Sequence, residues 1–181
     1  MSNYLKQKYK SEICSTLKNK FEYKNIHEIP KLTKITLNRG LGLNGQNTSA
    51  LNKTIEEFRL ITGQQPIVTK AKKSIAGFKI REKMNLGVSV TLRDKKMYAF
   101  LERLINLVLP RIRDFRGLNI ESFDRFGNYH FGLLDQLVFP EINYDNVDQT
   151  LGINISIVTT AKTKEESLEL LKQLGFPFKK A

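Results

Sequence analysis

The 181-residue chain is expected to fold in the α+β class. The expectation is a mostly antiparallel sheet with helices packed on one face, an open polar face, and a long basic loop. Three observations predict this. The strand-like segments alternate apolar and polar residues instead of running continuously apolar, which suits a sheet wet on one side. Between them lie segments with apolar residues at three- and four-residue spacing, the period of a half-buried helix. Hydrophobic residues make up 40% of the chain, enough for a real core at this length. One domain over 1–181 is expected, with an amphipathic helix at 3–21, a sheet-and-helix core at 31–175 and a basic loop at 70–85.

The elements follow in order. Leu5, Tyr9, Ile13 and Leu17 recur every four residues, with Lys6, Lys10, Lys18 and Lys20 on other faces, which predicts a basic amphipathic helix. Pro30 closes a linker. In 31–39, Ile35 and Leu37 fall on one face and Lys34, Thr36 and Asn38 on the other, a half-buried strand. Gly40–Asn47 is a glycine-rich turn. Asn47 or Thr48 caps a helix carrying Leu51, Ile55, Phe58 and Ile61 or Thr62, with Gly63 as its stop. Residues 65–70 form a short strand weakened by Pro66, and 71–84 a polar, basic connection. In 86–93, Val88, Val90 and Leu92 alternate with Ser89, Thr91 and Arg93. Asp94 is expected to cap a helix through Met97, Leu101, Leu104, Ile105 and Val108, ending at Pro110. Residues 111–141 are rich in turns, with short strands at 120–123 and 128–131. Residues 151–159 form another strand, with Ile153, Ile155 and Ile157 on one face. Thr163 and Glu166 have the spacing of a capping box, and the helix they open carries Leu168, Leu171 and Leu174 before Gly175.

Thirty Lys and Arg against eighteen Asp and Glu give a net charge of +12. The surplus is uneven. Residues 117–160 hold one basic residue, Arg125, against Glu121, Asp124, Asp135, Glu141, Asp145 and Asp148. The rest holds 29 basic and 12 acidic residues. Such a surplus predicts a polyanionic partner. A single cysteine, Cys14, excludes an internal disulfide framework and reads as packed. No apolar run approaches the length of a membrane span: the stretch at 104–109 contains Asn106 and stops at Pro110. Residues 1–10 lack the apolar core of a secretory signal, and Glu12 interrupts any acid-free transit sequence, so the protein is expected to work where it is made.

Residues 40–45 read Gly-Leu-Gly-Leu-Asn-Gly, a G-x-G-x-x-G after a strand and before a helix. In a dinucleotide site an acidic residue follows roughly 20 positions on, to hold a ribose. Here Gln64, Gln65 and Pro66 stand there, which favours a plain strand-to-helix turn. His27 and His130, the only histidines, have no nearby metal-ligand partners in sequence, so neither metal nor cofactor is expected. No catalytic motif occurs. The strongest chemical signal is 69–81, which contains Lys70, Lys72, Lys73, Ser74, Gly77, Phe78, Lys79 and Arg81 and no acid. Cations, small residues and one aromatic favour nucleic acid over a solvated loop, without choosing RNA or DNA. Arg111, Arg113 and Arg116 surround Asp114 in a second patch, suited equally to phosphate, a protein partner or the chain's own acids. The open face, with Lys34, Thr36, Asn38, Ser89, Thr91 and Arg93, reads as either a solvated surface or an RNA-binding one.

Long blocks carry a resemblance over residues 4–180: KITLNRGLG (34–42), ITGQQPIVTKAKKSIAGFKIR (61–81), VTLR (90–93), LPRIRDFRGL (109–118), GNYHFGL (127–133), FPEINYD (139–145) and TTAKTKEE (159–166). The chain resembles the large-subunit ribosomal protein five family, which binds 5S ribosomal RNA, and in particular its cyanobacterial and plastid branch. The resemblance implies a structural, non-enzymatic role in the central protuberance, in a plastid stroma or a bacterial cytoplasm. It implies 5S RNA contacts from Asn38, Gln64, Thr91 and Arg93, beside Lys34 and Thr36 of the open face. Further partners are large-subunit RNA, neighbouring ribosomal proteins and, through the long loop, the P-site tRNA elbow. The family also bridges to the small-subunit head protein thirteen, expected here to involve Arg111, Arg113, Asp114, Asp135, Glu141 and Asp145. The chain departs from the family at Asn85, a common proline, at Asp94 and Arg125, both common glycines, and at Leu134, a usually polar position. The rival readings are a nucleotide-dependent oxidoreductase using 40–45 and a membrane-surface protein using the first helix. No membrane partner is expected.

Overall fold

The computed structural model describes residues 4–144, 147 and 149–179. Asp145 and Asp148, two acids of the 117–160 segment, lie outside the described residues. Strands β1 (Leu32–Gly40), β2 (Ile67–Lys70), β3 (Asn85–Leu92), β4 (Tyr129–Leu133) and β5 (Ile153–Thr159) form one antiparallel sheet in the order β2-β3-β1-β5-β4. Among the described residues, four stretches of α and π helix accompany it. The first joins α1 (Tyr4–Lys8), a π turn (Tyr9–Ile13) and α2 (Cys14–Phe21). The second is α3 (Thr48–Thr62). The third joins α4 (Asp94–Arg103), a π turn (Leu104–Val108) and α5 (Leu109–Arg111), and the fourth is α6 (Lys164–Gln173). The expected α+β class is the observed one. No helix among the described residues is long and apolar enough to cross a membrane.

The chain divides into two compact units, one of Met1–Ile35, Leu92–Phe131 and Ser156–Ala181, the other of Thr36–Thr91 and Gly132–Ile155. In the first unit, Leu5, Ile13 and Leu17 are buried as their spacing requires. Tyr9 turns its hydroxyl to the Pro30 carbonyl at 3.0 Å. α1 meets α4 through a Lys6–Asp94 ion pair, and α2 meets α6 through Lys20 Nζ and Glu169 Oε2 at 2.7 Å. Asp94 is not a cap. The preceding Arg93 occupies that position without a side-chain bond, and Asp94 itself has a left-handed φ of +45°. Its carboxylate serves Lys6 instead, which is why its pKa lies below the ordinary value. The helical stretch also passes through Pro110 to Arg111. The π turn just before it loosens the backbone where the proline ring would meet a regular helix.

Both ends of α6 match their sequence signals. Thr163 Oγ1 accepts from Glu166 N, while the Glu166 carboxylate reaches back to Lys162 N at 2.8 Å. At the other end, Gly175 N bonds the Lys172 carbonyl and Phe176 N the Leu171 carbonyl, both at 3.0 Å, with Gly175 at φ +99°. This is a Schellman closure, which needs the left-handed glycine. The segment expected as a strand at 120–123 is a 3-10 turn, Ile120–Ser122, opened by the Asn119 side chain. Only Phe123 pairs, by a single bridge to Tyr129. Its ring packs against that of Tyr129 in a tilted contact, centroids 4.6 Å apart, so aromatic packing replaces a ladder there.

In the second unit, β2 is shorter than 65–70 because Pro66 has no N–H for a ladder, and pairing starts at Ile67. Ile67 faces Ser89 and Thr69 faces Gly87, with an irregularity after Thr69. Asn47 caps α3, its side chain accepting from Ser49 N at 3.1 Å. Leu51, Phe58 and Ile61 form its buried stripe. The turn at 40–47 closes tightly on the start of β3: Leu41 N donates to the Leu86 carbonyl at 2.8 Å. A Cβ on buried Gly45 would stand 2.4 Å from the Asn85 carbonyl oxygen.

Gly45→Ala is therefore expected to cost about 1–3 kcal/mol, as overpacking against backbone does, read as a lower denaturation midpoint. A second expectation concerns acid. Burial would raise the Asp124 pKa, but bonds from Asn128, Phe126 N and His130 hold it below the ordinary carboxylate value. A lowered folded pKa contributes stability above the unfolded value, and loses it as pH falls through the folded one. The melting temperature of Asp124→Asn should thus lie below the parent's at neutral pH. The gap should close as pH falls below about 4.

Candidate nucleic-acid interface

The interface starts from the pleat of β1. Ile35, Leu37 and Arg39 are buried, while Asn38 is exposed and Thr36 half-buried. The alternation slips by one residue near its start, since Leu32 and Ile35 are both buried. β3 lies beside β1, with Val88, Val90 and Leu92 buried and Ser89 and Thr91 half-buried on the other face. Ser89 Oγ donates to the Leu37 carbonyl at 3.2 Å, fixing the two strands together on that face. Thr36, Asn38, Ser89 and Thr91 thus share the open side of the second unit. They present hydroxyl and amide groups and no carboxylate. At the sheet edge the same side carries the apolar Ile67, 73% exposed.

Gln64 joins this set by a direct bond. Its Nε2 donates to the Thr91 carbonyl at 3.1 Å. Its backbone is held by Thr62, whose hydroxyl accepts from Gln64 N at 3.2 Å and bonds the Phe58 carbonyl at 2.6 Å. The side chain therefore leaves the end of α3 in one direction, pinned at its tip.

Sequence reasoning missed the residue that holds the strand from beneath. Arg39, next to Asn38 and on the opposite face, is 1% exposed. It forms an ion pair with Glu57 of α3, and its guanidinium lies 5.2 Å from the centre of the Phe58 ring. Its Nε and Nη2 have no hydrogen-bond partner, so Glu57 and the ring supply its compensation. The signal was present: position 39 is in phase with Ile35 and Leu37, where a cation demands a buried partner.

The basic segment is more ordered than a plain connection. Ile75 and Ile80 exchange backbone bonds of 2.9 and 3.2 Å. Ser74 Oγ accepts from Glu82 N at 2.9 Å, and Ala71 N bonds the Met84 carbonyl at 2.9 Å. The result is a small hairpin with a 3-10 turn, Ala76–Phe78, at its tip. Lys70, Lys72, Lys73, Lys79 and Arg81 are all exposed. Phe78 is 69% exposed and does not fold back onto a core. A Cβ on Gly77 would meet nothing within 4 Å.

Lys34 and Arg93 belong to the first unit, Lys34 half-buried and Arg93 exposed. Arg111, Arg113 and Asp114 are exposed there too, with Asp114 at φ +55°. Asp135 and Glu141 belong to the second unit. Asp135 is partly committed, since its carboxylate accepts from Leu137 N at 2.7 Å and opens the turn Gln136–Val138. No group of three or more His, Cys, Asp or Glu able to hold a metal occurs among the described residues.

Comparison with known proteins gives one consistent result. Residues 25–81 match Ribosomal protein L5, and residues 85–178 match the ribosomal L5P family C-terminus. The chain is 66% identical over 180 residues to the large ribosomal subunit protein uL5c of Heterosigma akashiwo (strain NIES-293 / 8280G21-1), covering 99% of both chains. It is 63% identical over 177 residues to the uL5c of Pyropia yezoensis, covering 98% of both. With the large ribosomal subunit protein uL5 of Trichodesmium erythraeum (strain IMS101) it shares 59% over 179 residues, covering 99% of both.

The buried pair gives this subsection its test. Arg39→Ala leaves Glu57 without its cation and should cost about 3–5 kcal/mol in chemical denaturation. Arg39→Met combined with Glu57→Leu removes both charges and should cost much less.

Proposed function

The chain belongs to the ribosomal protein L5 family, and from that premise we propose that it is a non-enzymatic constituent of the large ribosomal subunit that binds 5S ribosomal RNA. The observation that carries the RNA contact is the open face of the second unit, where Thr36, Asn38 and Thr91 lie on neighbouring strands and Gln64 is bonded to Thr91. These groups are uncharged, so they recognise shape and hydrogen-bonding edges and do not merely neutralise phosphate. The sheet holds them in place before RNA arrives, which lowers the entropy lost on binding. Lys34 and Arg93 add phosphate contacts. The net charge of +12 supplies the long-range attraction.

The hairpin at 70–85 carries the second contact of this reading, with P-site tRNA. Exposed Lys70, Lys72, Lys73, Lys79 and Arg81 suit a phosphate backbone. Ser74 shapes the base of the hairpin, and Gly77 and Phe78 stand at its tip with no core contact to satisfy. The third contact is a bridge to the basic small-subunit head protein thirteen. It draws on Arg111, Arg113, Asp114, Asp135, Glu141 and Asp145, and the acidic excess of 117–160 supports it by complementarity. The ribosome in question is that of the plastid stroma. The relatives named uL5c in Heterosigma akashiwo and Pyropia yezoensis, at 66% and 63% identity, favour this over a bacterial cytoplasm.

Binding of purified protein to 5S RNA, titrated against salt beside an unrelated structured RNA of equal length, tests the reading. Asn38→Ala and Thr91→Ala should each weaken 5S binding by about 1 kcal/mol with little change in salt slope, because neither removes a charge. Equal affinity for both RNAs, unmoved by the double variant, would refute the sheet-face assignment. Lys72→Ala should leave 5S binding nearly intact and disturb tRNA contact in assembled ribosomes.

A further inference from the structure

Most of this protein's net charge belongs to the unit that does not carry the uncharged 5S-binding groups. The first unit holds 21 basic and 11 acidic residues, a net of +10 out of the chain's +12. The second unit, with the uncharged face and the basic hairpin, holds nine basic and seven acidic residues. A unit that basic is built to meet phosphate itself.

One feature of its surface has the chemistry of base recognition. The turn at 124–128 is cross-braced from within. Asp124 Oδ1 accepts from Phe126 N at 2.9 Å and from Asn128 N at 2.7 Å, and Oδ2 accepts from Asn128 Nδ2 at 2.7 Å. His130 closes the back: its Nδ1 lies 2.9 Å from Ser156 Oγ on β5, and its Nε2 lies 3.6 Å from the same Asp124 carboxylate. Thr159 adds two more ties, its N–H to Asn128 Oδ1 at 3.2 Å and its hydroxyl to the Gly127 carbonyl at 2.9 Å. Asp124 and Asn128 are engaged within the turn, and two other side chains face solvent. Arg125 is exposed, and Phe126 is 74% exposed.

Exposing a phenylalanine on a rigid turn has no folding benefit, since its apolar area stays in water. We propose that Phe126 and Arg125 form a second RNA contact, in which the Phe126 ring stacks on an unpaired base of ribosomal RNA and Arg125 binds an adjoining phosphate. A protein partner fits less well. Protein docking sites are contiguous apolar patches, whereas Phe126 is flanked in its turn by Asp124, Arg125, Gly127 and Asn128. One aromatic beside one guanidinium is the composition that holds single-stranded bases. Arg125 is the only cation of the 117–160 segment and is placed at this tip. The bracing supplies the rigidity that stacking rewards, because no loop entropy is lost on contact.

The inference rests on the ribosomal reading, and its test separates the two. A photoreactive phenylalanine analogue is placed at 126 and the full chain is assembled into large subunits. A crosslink to ribosomal RNA is expected, and mapping it distinguishes 5S RNA from the large-subunit RNA. Subunits that contain the chain but give crosslinks only to protein, or none, overturn the proposal and leave the family reading standing. A parent chain that does not enter subunits overturns both. In parallel, Phe126→Ala should leave subunits at lower salt, with affinity reduced about fivefold or more. Phe126→Tyr, which keeps the ring, should behave as the parent does. Equal retention of all three chains at matched melting temperatures would refute stacking.

Discussion

The period of two in β1 is the constraint on which both the core and the proposed interface depend. Leu37 and Arg39 go into the core while Thr36 and Asn38 go outward, and neither set can move without the other. A slip of one residue would put Asn38 in the core and Arg39 in water. Arg39 makes that slip especially unfavourable. A buried guanidinium needs a carboxylate at one place only, and Glu57 provides it from α3. An apolar residue at 39 would tolerate small shifts of strand against helix; a paired cation does not. The ion pair thus works less as a source of net stability than as a register pin, directly behind the amide that faces out.

The glycines around this strand follow from the same tight arrangement. A Cβ on Gly87 would stand 2.4 Å from the Arg39 carbonyl, and one on Gly45 the same distance from the Asn85 carbonyl. Gly45 is the last glycine of the G-x-G-x-x-G pattern. Its role is to let a turn pass against the start of β3, and the helix cap comes two residues later at Asn47. The pattern imitates a phosphate-binding turn because both need backbone without a side chain in the way. What approaches the backbone here is another strand.

The parts of the fold legible in the sequence were those decided locally. The alternation of β1, β3 and β5, the Asn47 cap, and the Thr163–Glu166 and Gly175 ends of α6 all depend on residues within a few positions of one another. The misread parts depend on distant partners. Asp94 has the composition of a cap, but Lys6 of another helix takes its carboxylate. Residues 120–123 have strand-like composition, but Asn119 turns the backbone and the Phe123 ring finds Tyr129. The open face was readable as a set of positions because a pleat is local. The Gln64–Thr91 bond and the pairing of Ile75 with Ile80 were not, since each joins residues whose meeting the local pattern does not encode.

The two units also divide the physics of binding. Attraction to RNA scales with charge and is weakened by salt, and most of the net charge belongs to the first unit. Discrimination among RNAs comes from groups that must meet particular edges, and the uncharged donors Asn38, Thr36 and Thr91 belong to the second. A protein that filled the recognition face with lysines would bind many RNAs there without favouring one orientation. Keeping that face nearly neutral means a wrong RNA gains little from it, while desolvating its amide and hydroxyls without return. In the proposed complex, salt therefore tunes how strongly the protein is drawn to the subunit, and the pleat of β1 and β3 decides where it settles.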